Sequence, residues 1–176
     1  TPSSAASDVY KRQPLDKIPE YREQGNTSYV QAAYLGTYYY LVNTDRPPVD
    51  NVLVRRALSY ALDRDTLTRT VLQETAIPAY SITPPDTLGY NPPKLFDYDP
   101  AKARELLAEA GYPNGEGWPG LEIIYNTQEA HRKIAVAVQQ MWKKELNIDV
   151  TISNQEWKVY LNSVSPVSYT HLTLPT

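Results

Sequence analysis

The chain has 176 residues, 17 Lys+Arg against 20 Asp+Glu for a net charge of −3, and 41% hydrophobic residues. That is the size of one domain, long enough to bury a real core, and too mildly acidic to carry the electrostatic footprint of a nucleic-acid binder. With no cysteine and two histidines, the chain has no disulfide framework, no thiolate or multi-histidine metal centre and no cysteine nucleophile.

The opening segment, Thr1 to Asp8, is small and polar and lacks the apolar run of a signal peptide. Weak helical patterning follows near Pro14 to Tyr21. From Tyr29 to Asn43 the sequence YVQAAYLGTYYYLVN is rich in aromatic and β-branched residues, which predicts a strand or a pair of strands bent at Gly36. Pro47-Pro48 breaks the chain. Asp50 then reads as the N-cap of a helix to about Leu62, with Val54, Ala57, Leu58, Ala61 and Leu62 at helical spacing. A short helix over about 65–72 comes next. Residues Ile77 to Pro93 form a proline-rich extended loop. Asp99 is the N-cap and Pro100 the first residue of another helix, with Ala103, Leu106, Leu107 and Ala110 as its apolar stripe and Gly111 as its stop.

The last third sets the fold class. Leu121 to Tyr125 reads as a strand and Glu129 to about Leu146 as a helix with Ile134, Val138, Met141 and Trp142 on one side. Ile148, Val150 and Ile152 alternate with polar residues as in a second strand. Strand, helix, strand within about 30 residues is a βαβ unit, so the class is α/β with parallel strands. Both strands then end on one edge of the sheet, where ligands of open α/β sheets bind. That edge carries Asn126, Thr127, Gln128 and His131 after the first strand. It carries Asn154, Gln155 and Trp157 after the second.

Catalytic motifs do not survive scrutiny. Gly115-Glu116-Gly117-Trp118-Pro119-Gly120 spells G-x-G-x-x-G, but it follows a helix and opens a strand, the reverse of a dinucleotide fingerprint. The carboxylates Asp63 and Asp65 flank an arginine at a helix end, which is a setting for capping and ion pairing. Asn26-Thr27-Ser28 fits a glycosylation sequon. No serine has a histidine at a recognisable spacing, so no catalytic residue and no cofactor are expected. His131 reads either as a buried, hydrogen-bonded histidine or as a donor to an anionic ligand group, beside the free N–H groups of a helix start. Trp157 reads either as core or as a ligand-facing ring. Fifteen tyrosines against one phenylalanine suit a ligand-contacting surface or reflect lineage bias. Tyr38, Tyr39 and Tyr40 cannot all face one way along a strand.

Several blocks then occur in order: LGTYYYLVNTDRPPVDNVLVRRALSYALDRD, IPAYSITPPDTLGY, YDPAKARELLAEAGYPNG, LEIIYNTQEAHRKIAVAVQQMWKKELNIDV and NQEWKVYL. Over about residues 29 to 162 the chain resembles the oligopeptide- and dipeptide-binding family 5 solute-binding proteins of bacterial ABC transporters, in their oligopeptide-binding branch. The resemblance implies part of the C-terminal lobe of a two-lobed periplasmic-binding-protein type II fold, about a third of a full-length member. It implies a peptide ligand held in extended form, no enzymatic activity, and ABC permease subunits as membrane partners of a monomer. It also implies a location in the periplasm, or lipid-anchored outside the cytoplasmic membrane. The ligand-binding residues it implies are His131, Trp157, Asn126, Tyr34 and Tyr39, and no metal site. Leu41 stands where some relatives carry an acidic residue. Alternative readings are a relative for nickel or sugar, or an incomplete lobe that binds nothing.

The same resemblance divides the chain. Residues 14–35 are expected to end the first lobe and carry the hinge-crossing strand, and 36–164 to form the partial C-terminal lobe. Residues 1–13 and 165–176 are unlike the family and are expected to be non-native tails.

Overall fold

A computed structural model of the chain describes residues 15–23, 30–31, 35–85, 87–164 and 171–173. Tyr34, the sequon at Asn26, the 1–13 tail and most of the 165–176 tail lie outside these residues. A 3-10 turn, Leu15–Lys17, leads into α1, Ile18–Glu23. The helices that follow are α2 (Val52–Tyr60) and α3 (Arg64–Thr66), the latter continuing as a π-type turn over Leu67–Val71. Next come α4 (Pro100–Glu109), β1 (Leu121–Asn126), α5 (Glu129–Leu146), β2 (Val150–Gln155), α6 (Trp157–Val164) and β3 (His171–Thr173).

The βαβ unit forms as the periodicity predicts. β1 and β2 run parallel in register from Leu121 opposite Val150 to Asn126 opposite Gln155. β1 lies in the middle of a three-stranded sheet of order β2-β1-β3. Its other neighbour, β3, pairs through residues 171–173 of the segment expected to be a tail. A central parallel strand is covered on both faces, and five of the six β1 residues are buried, which explains its lack of clean alternation.

α5 places His131, Ile134, Ala135, Val138, Trp142 and Leu146 on its buried side. Each fully buried aliphatic side chain of this kind contributes about 1.5–3 kcal/mol. The helix ends where Asn147 turns left-handed, φ 55°, with Lys143 and Lys144 in the last turn suiting the helix dipole. The 3-10 turn Pro113–Gly115 is pressed against this end. A Cβ on Gly115 would lie 2.5 Å from the Asn147 carbonyl oxygen, and φ there is +79°, so only glycine fits. This glycine belongs to the G-x-G-x-x-G run, whose role is therefore loop packing. Trp118 of the same run donates its Nε1–H to the Asp149 carbonyl at 3.0 Å.

One core joins α2, α4, α5, β1 and β2. Trp142 fastens the halves together: its ring is 2% exposed and its Nε1–H donates to the Leu58 carbonyl at 2.9 Å. Several helix ends follow the sequence reading. Asp99 accepts from the Lys102 N–H with Pro100 in the first position. Asp63 accepts from the Thr66 N–H, which is the capping role foreseen for it. Asp50 is not the cap of α2. Asn51 takes that place and accepts from the Leu53 N–H, while the Asp50 carbonyl is held by Arg55. Either side chain is short enough to cap, and the geometry selects the residue that keeps an extended backbone, here Asn51 with φ −77° and ψ 124°.

The tyrosine-rich segment departs from expectation. Residues 36–43 form no named strand among the described residues, only a bridge position at Leu41. β-propensity reports fit to a half-buried pleated surface, and a strand requires a partner for its ladder. The proline-rich loop is irregular as predicted, with one bridge between Thr87 and Tyr90. Tyr80 anchors it: its hydroxyl donates to Asp65, and Lys94 Nζ and the Arg64 guanidinium lie 4.2 and 5.7 Å from its ring centroid.

Candidate functional site

The carboxyl ends of β1 and β2 meet as the topology requires. Parallel pairing puts Asn126 beside Gln155. Beyond them the chain segments remain tied. The Thr127 N–H donates to the Gln155 carbonyl at 2.8 Å, the Thr127 hydroxyl donates to the same oxygen at 3.1 Å, and Asn154 Nδ2 reaches the Thr127 hydroxyl at 3.4 Å. Gln155 Oε1 is buried and has no partner among the described residues, so it remains an available acceptor.

Asn126 and His131 form the buried part of the site. Asn126 closes β1 and is 9% exposed; His131 lies in the first turn of α5 and is 7% exposed. Asn126 Oδ1 and His131 Nδ1 are 2.8 Å apart. An amide oxygen can only accept, so the imidazole proton is on Nδ1. Burial holds the His131 pKa below its ordinary 6.5, against the opposing pull of a hydrogen bond to the Asn126 backbone. The ring is therefore neutral at pH 7, and Nε2 carries a lone pair.

Two rings extend this pair. Tyr38 lies against His131 with centroids 5.3 Å apart and planes tilted by 43°. Tyr38 and Tyr40 meet edge to face with centroids 6.2 Å apart. Burial pushes the Tyr38 hydroxyl pKa upward, and the neighbouring Tyr40 and Tyr160 hydroxyls push it further. Burial also raises that of Tyr40, whose hydroxyl has no partner among the described residues.

Trp157 opens α6 and is 41% exposed, so the core reading fails for it. It stacks on the buried Tyr160 at 5.8 Å with planes 19° apart. A partly exposed indole on a rigid aromatic base is a surface suited to apolar or backbone groups of a ligand. Of the residues selected from sequence, the structure thus joins Asn126 to His131 and sets Trp157 just past the adjoining strand end. The residue that sequence reasoning missed is Tyr38. Alternation allowed either parity for the tyrosine triplet, and nothing in the sequence chose between them. Among the described residues no three metal-ligating side chains gather, and no helix is long and apolar enough to cross a membrane.

Comparison with known proteins places this geometry. Residues 4–169 match the family described as "Bacterial extracellular solute-binding proteins, family 5 Middle". The oligopeptide-binding protein OppA of Bacillus subtilis is 37% identical over 163 residues, 89% of this chain and 30% of that protein. The crystal structure of a periplasmic oligopeptide-binding protein, OppAIV, from Borrelia burgdorferi superposes with a TM-score of 0.84 at 40% identity, over 93% of this chain and 32% of that one. The structure of Haemophilus influenzae OppA in complex with the peptide RPPGFSPFR does so with a TM-score of 0.78 at 33% identity, over 92% and 33%. The chain therefore spans about a third of the length of the relatives it matches.

Proposed function

Because this chain belongs to the family 5 bacterial extracellular solute-binding proteins, we propose that the protein carrying it captures oligopeptides outside the cytoplasmic membrane and hands them to an ABC importer. The observation that supports this most is the sheet edge. A buried Asn126–His131 pair and a half-open Trp157 stand at the ends of two adjacent parallel strands, in a chain similar to oligopeptide-binding proteins, one of them solved with a nonapeptide. Such a site binds without covalent chemistry. Its polar groups meet the backbone that every peptide shares, and its ring packs on whatever side chain lies above it. The lobes of the whole protein would close on the peptide and present the closed form to permease subunits. Asn126, His131 and Trp157, with Tyr34 and Tyr39 from the crossing segment, are the residues proposed to line the peptide site.

Calorimetric titration of the full-length protein with RPPGFSPFR tests the proposal. Binding is expected, and His131→Ala and Trp157→Ala are each expected to weaken it by about 1–2 kcal/mol, roughly tenfold. Absence of heat with this and with shorter peptides would sink the peptide reading. Unaltered affinity in both variants would move the site away from this edge.

A further inference from the structure

The first described helix is tied to the rest of the molecule by charge. Asp16, in the 3-10 turn that opens into α1, pairs with Lys133 Nζ of α5 at 2.6 Å. Near the other end of α1, Arg22 pairs with Glu74 at 3.3 Å and donates to Gln31 Oε1 at 2.7 Å. Gln31 Nε2 in turn donates to the Glu74 carbonyl at 2.6 Å, so Arg22, Gln31 and Glu74 close a triangle. Among the described residues, the core that joins α2, α4, α5, β1 and β2 takes in nothing ahead of Tyr40. Ile18 is the one buried residue of α1. We infer that α1 with its 3-10 turn is a charge-fastened brace: the Asp16–Lys133 and Arg22–Glu74 pairs clamp the segment expected to end the first lobe onto the second, and the brace undocks as one unit when the pairs are lost. The inference rests on that division into lobes and adds a restraint on their relative movement.

Exposed ion pairs are individually weak, because water screens them and two long side chains must be ordered. Two features strengthen these. Both cations are partly shielded, with the Lys133 side chain 29% and that of Arg22 32% exposed. The pairs also stand at opposite ends of one short element, so docking α1 at one end brings the other into reach at little further cost. The receiving surface is shaped for the contact. Directly after the π-type turn, Gln73 and Glu74 both take a left-handed backbone, φ 51° and 59°. Residues other than glycine hold that conformation only where their surroundings determine it. Here the Glu74 N–H donates to the Thr68 carbonyl at 2.9 Å. Glu74 is thereby turned so that its carboxylate meets Arg22 and its carbonyl meets Gln31. Between α1 and this turn lies a cleft of about 300 Å³ lined by Pro19, Arg22, Glu23, Arg69, Gln73 and Glu74. The contact is therefore a set of polar bridges beside open space, and it can part without opening the core.

Double electron–electron resonance on the full-length protein tests the brace. Spin labels go on Glu20→Cys of α1 and Ala108→Cys of α4, both exposed positions, with any other cysteine of the full-length protein replaced. One dominant distance is expected at low salt. In Asp16→Asn/Glu74→Gln a longer component is expected to grow about fivefold for the two pairs together. In the otherwise unaltered protein, 1 M NaCl is expected to act in the same direction, since the Debye length there is about 3 Å. Lys133→Asp alone should release the brace further by setting two carboxylates face to face, and adding Asp16→Lys should restore the dominant distance. An unchanged distribution in Asp16→Asn/Glu74→Gln overturns the inference. So does release in Lys133→Asp that Asp16→Lys fails to reverse. If a variant does not fold, the salt series decides alone, and a distribution indifferent to salt overturns the inference. The readout needs no peptide. Release as expected with no heat from RPPGFSPFR would sink the peptide reading and leave the brace, while a fixed distance in a protein that binds the peptide would do the reverse.

Discussion

The ends of β1 and β2 lie side by side, yet they are built differently. At the end of β1, Asn126 and His131 are buried and bonded to each other. At the end of β2, Trp157 stands partly in water on an aromatic base. One end is fixed by the core, and the other offers a surface. The contrast fits a binder that must hold a constant backbone while tolerating varied side chains. A rigid polar contact serves the first need and an open ring serves the second.

Four measurements would break or sharpen this contrast. The largest effect should come from the core that anchors α5. Trp142→Ala removes a fully buried indole and its bond to the Leu58 carbonyl, and should lower stability by about 3–5 kcal/mol in urea unfolding. A loss under 1 kcal/mol would mean that α5 does not depend on this packing. Next, Asn126→Ala strands the His131 Nδ1–H in a buried position. The expected loss is about 1–3 kcal/mol, and an unchanged midpoint would show that water replaces the amide there. Third is the pH dependence. The folded-state pKa of His131 lies below 6.5, so between the two values the unfolded chain binds a proton that the folded chain does not. Its contribution is full above the unfolded value and is lost as the pH falls from 6.5 to the folded pKa. Midpoints measured across that window should decline in the wild type and flatten in His131→Gln. The smallest change should come from the open end: Trp157→Ala should alter stability by no more than about 0.5 kcal/mol while still weakening peptide binding. A large stability loss would make Trp157 a core residue after all.

What the sequence revealed follows the range of the interactions involved. The βαβ unit was legible because its signals are local: a period of 3.6 in α5, β-branched residues in β1 and β2, and an Asp99-Pro100 start for α4. The strand-end edge followed from topology, and the family resemblance then singled out Asn126, His131 and Trp157 along it. The tyrosine segment was not legible in the same way. A strand was expected there, but whether the segment joins a ladder and which tyrosine meets His131 depend on neighbours distant in sequence. The polar pattern misled once more at α2, where Asp50 and Asn51 are chemically near-equivalent caps. The most recognisable block, RRALSYALDRD, turns out to hold structure together. Arg55 clamps the Val49 and Asp50 carbonyls, Arg64 reaches Ser59, and Asp63 caps α3. Family resemblance there marks scaffold, and the residues proposed for ligand binding lie elsewhere.

The Thr127 bonds to the Gln155 carbonyl have a consequence for the entropy of binding. They lock the two strand ends together, so the edge has little internal freedom left to lose when a ligand arrives. If a peptide is bound as proposed, the entropy of ordering would fall on the peptide and on the closing of the whole protein. A binding platform that travels as one rigid piece lets affinity be tuned by how readily the protein closes, with no alteration to the contacts themselves.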